Sequence, residues 1–153
     1  MVTNSKHKDA LLTLQKAGIS KTSQRLAVLD ILLKATMPLS VNTIRQTLET
    51  KARIDKVTVY RILSLFRQRG IIREIASAGG ANYFEMATLE NPLHPHFSCR
   101  NCGAFTCLAP LPFTQAPELI LSKDDYSIDH IEINISGLCA CCRNTINSQK
   151  SMI

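Results

Sequence analysis

KVTVYRILSLFRQRGIIREIASAGGANYFEM, residues 56–86, changes its period halfway along. Up to Gly70 the apolar residues Val59, Ile62, Leu63 and Phe66 recur at three- and four-residue steps, the period of a helix with one buried face. Val57, Val59 and Tyr60 are poor intrinsic helix formers, so packing on a core must hold that helix. Asp55 can cap its start, and Gly70 closes it. Beyond Gly70 come IIREIA, a SAGGA turn and NYFEM, and the Gly79-Gly80 pair between two strand-like runs marks a β-hairpin. A helix followed by a two-stranded wing is the end of a winged helix-turn-helix, with the helix before the wing as recognition helix.

Upstream, the chain supplies the remaining helices of that fold. Ala10, Leu11, Leu14 and Ala17 lie at helical spacing, and Gly18 stops the helix. KTSQRLAVLDILLKA carries a broad apolar stripe, with Thr22 or Ser23 as cap. Pro38 then breaks the chain, and Ser40 caps VNTIRQTLET. On the recognition helix Lys56, Thr58, Tyr60 and Arg61 are candidates for phosphate or base contact, and Lys21 and Arg25 for gripping backbone phosphate.

Charge is spread unevenly. Residues 1–87 hold 14 basic and 6 acidic residues, a net +8, whereas residues 88–153 hold 4 and 6, a net −2. A basic first part joined to a mildly acidic second part points to nucleic acid as the partner of the first. All six cysteines lie beyond residue 98 and five of the six prolines beyond residue 91, so a boundary between domains 1–87 and 88–153 is expected. No apolar run reaches the ~18 residues of a membrane span. With MVTNSKHKDA at the start, no signal peptide is expected, and the expected location is the cytoplasm.

In a reducing compartment, cysteines at CxxC spacing are metal ligands before they are disulfides. Cys99-x-x-Cys102 and Cys139-x-x-Cys142 supply the four soft ligands of a tetrahedral structural zinc, and Gly103 gives the first knuckle its tight turn. Cys141 would chelate awkwardly beside Cys139 and is left unassigned. A redox CxxC usually opens a helix after a buried strand and works as a single pair, a setting absent here. His94 and His96 stand two apart in a segment that Pro92 and Pro95 keep extended, so both imidazoles face one side. They suit a second metal, with Cys107 and either Glu85 or Glu90 as further ligands. His130 and Glu132 share the polar face of YSIDHIEINIS, whose other face is Ile131, Ile133 and Ile135. His7 reads as a solvated terminal residue.

TSQR followed by VTVYRIL, then HPHFSCRNCG and HIEINISGLCACC, resembles the Fur family of metal-responsive transcriptional regulators over about residues 8–145. The resemblance implies an α+β chain: an N-terminal winged-helix DNA-binding domain, then an α/β dimerisation domain with a four-cysteine zinc site. It further implies a homodimer that binds a palindromic double-stranded operator once a site at the hinge is filled. GLCAxC is similar to the zinc-uptake branch of the family. The chain departs from the family at Leu93 and Pro95, where further histidines often stand, and at Pro38. PLPFTQAPELILSKDD is proline-rich where the family usually has a clean helix.

The resulting expectation is a zinc-responsive repressor, not an enzyme. One zinc is structural, on Cys99, Cys102, Cys139 and Cys142. The other is regulatory, on His94, His96, Cys107 and Glu85. The same architecture sensing iron, manganese or peroxide, and a zinc-stapled DNA-binding module without sensing, are the alternatives. A thiol oxidoreductase lacks support.

Overall fold

A computed structural model of the chain describes residues 3–49, 54–110 and 131–150. The chain divides into two compact units, residues 1–91 and 92–153, with the division four residues beyond the 87/88 boundary read from composition.

The first unit holds four helices, α1 (Thr3–Lys16), α2 (Ser23–Lys34), α3 (Val41–Glu49) and α4 (Lys56–Gln68), and a small sheet whose first strand lies between α2 and α3. The helix starts are set by side chains. Thr22 Oγ1 accepts from the Arg25 amide at 3.3 Å, and Ser40 Oγ from the Thr43 amide at 3.1 Å. Asp55 caps α4, accepting from the Thr58 amide at 2.9 Å. Ile54 and Val59, the residues just before the cap and four into the helix, are both buried and form the hydrophobic staple of that entry. Gly18 and Gly70 terminate α1 and α4 with φ of 65° and 66°, a conformation that costs glycine nothing.

Strands β1 (Leu39–Ser40), β2 (Ile72–Ala76) and β3 (Asn82–Met86) form an antiparallel sheet in the order β1-β3-β2. The β2–β3 hairpin is the expected wing, turned at Gly80 with φ 77°. Strand β1 has no counterpart in the sequence reading: Leu39 pairs with Phe84 and Ser40 with Tyr83. Two residues carry no readable period, so only the pairing reveals it. Leu14, Leu29, Leu32, Ile44, Leu48, Val59, Leu63 and Phe66, with Phe84 from the sheet, make one core. That core is built from the helical faces that the apolar spacing marks out.

The second unit holds a mixed sheet, β5-β4-β6, and helix α5 (Ala140–Lys150). Strand β4 (His96–Cys99) runs antiparallel to β5 (Phe105–Cys107) and parallel to β6 (Asn134–Gly137). The long strand expected over YSIDHIEINIS is shorter: residues 131–133 are not strand, and residues 126–130, His130 among them, lie outside the described residues. The last β4–β6 bond runs from the His96 amide to the Ile133 carbonyl at 2.9 Å, and at Pro95 the backbone turns to β5, its carbonyl accepting from the Leu108 amide at 2.9 Å. The expected apolar face is open here, with Ile131 and Ile135 exposed. The proline-rich segment 110–125 also lies outside the described residues, except for Pro110.

Candidate metal centres and nucleic-acid interface

The hairpin between β4 and β5 is a metal knuckle. Cys99 ends β4, its amide donating to the Ala104 carbonyl at 2.8 Å and its carbonyl accepting from the Gly103 amide at 2.9 Å. Gly103 sits at φ 73°, the left-handed geometry that swings Cys102 back toward Cys99. The second pair sits at the head of α5, just after β6, a strand-then-helix setting that the sequence reading did not expect; β6 is mostly exposed rather than buried, and the pair lies beside Cys99 and Cys102 rather than alone. Cys139 immediately precedes that helix, and its carbonyl accepts from the Arg143 amide at 2.9 Å, which makes it the N-terminal cap. Cys142, three residues on, shares its face and is buried, whereas Cys141 is exposed and outside the cluster.

The sulfurs of Cys99, Cys102, Cys139 and Cys142 lie within 4.8 Å of one another, with Cys102 to Cys139 at 3.7 Å. Tetrahedral Zn–S bonds of about 2.3 Å put sulfurs about 3.8 Å apart, so the set fits a zinc ion. Hydrogen bonds further orient the ligands. The Cys139 amide donates to Cys99 Sγ at 3.3 Å, and Asn101 Nδ2 donates to Cys142 Sγ at 3.2 Å. The amides of Cys102 and then Cys139 draw the Cys99 thiol down to about 6. Against the pull of the Asn101 amide, the neighbouring thiols of Cys139 and Cys102 push Cys142 up to about 12. Four thiolates cannot share this space without a cation, and a bound divalent ion inverts that repulsion.

A second set of ligands lies along the same strand. Residues on β4 alternate between faces, so His96 and Cys99, three apart, point to opposite sides. The antiparallel register sets Cys107 directly opposite His96, hence on the His96 face, and Phe105 opposite Ser98 on that face too. The His96 ring stacks on Phe105, centroids 5.4 Å apart and 15° between planes. The His94 ring lies 4.5 Å from that of His96. Ligand atoms of His94, His96 and Cys107 fall within 4.8 Å of one another, and both histidines are buried. His94 Nδ1 lies 2.8 Å from the Pro92 carbonyl. A carbonyl only accepts, so Nδ1 carries the proton and Nε2 the lone pair, the arrangement of a metal-ligating imidazole.

Of the two candidate acids, Glu90 is exposed and Glu85 is buried on β3 of the first unit. Arg73, its cross-strand neighbour, binds Glu85 Oε1 through Nε at 3.0 Å and Nη2 at 2.9 Å. Arg73 also donates to the Asn91 carbonyl at 2.6 Å, and Asn91 Nδ2 to the Met86 carbonyl at 2.8 Å. Sequence reasoning missed Arg73, which it counted only as charge; the register alone brings it to Glu85. It also missed Asn101. Glu132 is half-buried and accepts from Asn134 Nδ2 at 2.6 Å. His7, expected to be solvated, lies 3.0 Å from Asp30 and so ties α1 to α2.

The outward face of α4 carries Lys56, Val57, Tyr60 and Arg61, all exposed. Lys56 Nζ stands 5.8 Å from the Tyr60 ring centroid, a cation–π distance that holds the phenol in place. Thr58 turns inward to the cap, its hydroxyl donating to Asp55 Oδ2 at 2.5 Å. Lys21 reaches Gln15 Oε1 at 3.3 Å and remains exposed. Arg25 is half-buried, donating to the Ser20 carbonyl at 2.9 Å and to the Ser20 hydroxyl. Arg67 is paired with Glu74, and Arg69 donates to the Ala17 carbonyl at 2.8 Å, so both serve the fold.

A winged helix followed by a cysteine-ligand domain defines a metal-binding transcriptional regulator. The model of the Ferric uptake regulator family matches residues 16–136, and the chain belongs to that family, whose members regulate transcription and are not enzymes. It is 28% identical over 141 residues to the "Peroxide operon regulator" of Bacillus subtilis (strain 168), covering 92% of this chain and 95% of that one. The fold is that of the Helicobacter pylori ferric uptake regulator Fur, with a TM-score of 0.71 at 20% identity over 92% of this chain and 93% of that one. A zinc uptake regulator solved with zinc and DNA has a TM-score of 0.63 at 20% identity, covering 96% of this chain and 99% of that one. Among the described residues no helix is long and apolar enough to cross a membrane.

Proposed function

We propose that the chain is a zinc-responsive repressor, working in the cytoplasm as a homodimer on a palindromic DNA operator. Cys99, Cys102, Cys139 and Cys142 hold a permanent zinc. His94, His96 and Cys107, with Glu85 as the acidic member of the set, hold a second and exchangeable zinc. Lys21, Arg25, Lys56, Tyr60 and Arg61 meet the DNA, and Thr58 sets the start of the helix that carries three of them. The observation behind this reading is the register that pairs Cys107 with His96. A thiolate added to two imidazoles makes a site softer than the one Fe²⁺ prefers and well suited to zinc. Zinc raises operator affinity only by as much as it prefers the DNA-competent arrangement over the other, so the switch is a shift of populations. Operator binding then weakens steeply with salt, because phosphate contacts release counterions.

The test is elemental analysis before and after mild chelation, paired with DNA binding titrated against Zn²⁺, Fe²⁺ and Mn²⁺. One retained zinc, and one exchangeable zinc that switches DNA binding, is the expected result. Operator affinity that ignores emptying of the weaker site would sink the proposal. The kinship with a peroxide operon regulator favours a second reading, in which Fe²⁺ fills the same site and peroxide releases the DNA. Cys107→Ser separates them. Loss of the zinc response supports the first, and an intact zinc response with Fe²⁺-activated binding supports the second.

A further inference from the structure

Val57 is misplaced for a residue with only a structural task. It is 58% exposed, on a helix whose other valine, Val59, is fully buried. At about 100° per residue, Val57 lies nearly opposite the stripe of Val59, Ile62, Leu63 and Phe66, in line with Arg61 and Ser64 on the outward face. The apolar staple at the start of α4 is already made by Ile54 and Val59. A β-branched residue in a helix also carries a propensity cost that alanine at the same place would not. Neither packing nor local preference accounts for valine here.

Its neighbours indicate what it faces. Lys56, Tyr60 and Arg61 surround it with groups suited to phosphates and base edges, and the helix lies just before the wing. In the major groove, thymine alone among the four bases carries a methyl group, and apolar side chains are what distinguish it. We propose that Val57 reads the C5-methyl of one thymine in each half of the operator and so sets base preference beside the Arg61 contact. This rests on α4 being the helix that enters the groove.

The experiment uses the full-length, zinc-loaded protein and a duplex it selects from random DNA. Each thymine of that duplex is then replaced by deoxyuridine, which removes the methyl and keeps every hydrogen bond. At one position per half-site the exchange should weaken wild-type binding about fourfold, the worth of one buried methyl-sized group. Replacing both halves of a palindrome multiplies the factors. Val57→Ala, at an exposed site where alanine favours the helix, should bind the thymine and uracil duplexes equally, within about twofold. If no position loses more for wild type than for Val57→Ala, the inference is wrong. Should the protein select no duplex at all, the placement of α4 in the groove falls with it, a distinguishable failure.

Discussion

Stripping zinc from the cysteine cluster should unfold the second unit and spare the first. Among its described residues, the buried ones are His94, Pro95, His96, Ser98, Cys99 and Cys142. Almost all are candidate ligands or polar groups, and no large aliphatic or aromatic side chain is among them. The first unit buries Leu14, Leu29, Leu63 and Phe66 completely or nearly so. Zinc binding by comparable cysteine and histidine sets is worth about 10–16 kcal/mol. A whole domain is stable by only about 5–15 kcal/mol. Removing the ion therefore takes away an amount comparable to the entire stability of a domain. The assay is amide hydrogen exchange on the intact chain, before and after dialysis against a strong zinc chelator. The amides of His96, Cys99 and Arg100, which donate to Ile133, Ala104 and Gly137, should lose protection. Those of Leu26, Val59 and Ile71 in the first unit should keep it. Protection that persists at Cys99 and Arg100 in zinc-free protein would refute the reasoning, and would mean that apolar packing carries that unit.

Three further outcomes are expected. Arg73→Ala should cost about 3 kcal/mol of first-unit stability, the scale for breaking a largely buried ion pair from one side; urea unfolding of Arg73→Ala, Glu85→Ala and the double variant should show strong coupling, and purely additive losses would contradict the pairing. Asp55 is held below its ordinary carboxyl value of 3.8 by the Thr58 hydroxyl and then the Thr58 amide. Its stabilisation of α4 is therefore present above that value and lost as pH falls through the lower folded one, so Asp55→Ala should flatten this part of an acid titration followed by circular dichroism. Gly103→Ala meets no neighbour within 4 Å but must hold a φ of 73°, so a backbone cost of about 1–2 kcal/mol should appear as weaker zinc retention in a chelator competition.

Residues with local jobs are legible in the sequence. Thr22, Ser40 and Asp55 cap helices because a hydroxyl or carboxylate there meets an amide three residues on, and that relation is contained in the chain itself. The four clustered cysteines are legible for the same reason, since each pair is a local turn. Pairings across the sheets are not. Leu39 and Ser40 form a strand only because β3 lies beside them, and Arg73 meets Glu85 only in one register. Thr58 reads as a DNA contact from its place on the recognition helix, but the cap claims its hydroxyl. Alternation of isoleucines overstates the reach of β6, because it takes no account of whether a partner strand continues past Pro95.

Strand β4 sends His96 to one side and Cys99 to the other across only two intervening residues. Its length is thus constrained by parity as well as by reach. One residue inserted or deleted between positions 96 and 99 would turn one of the two onto the wrong side of the sheet, stripping a ligand from one set and crowding the other. Point substitutions at Phe97 and Ser98 leave that arithmetic untouched. The segment can therefore drift in chemistry while remaining closed to single-residue changes in length, and gene variants with such an insertion should lose both metal functions at once.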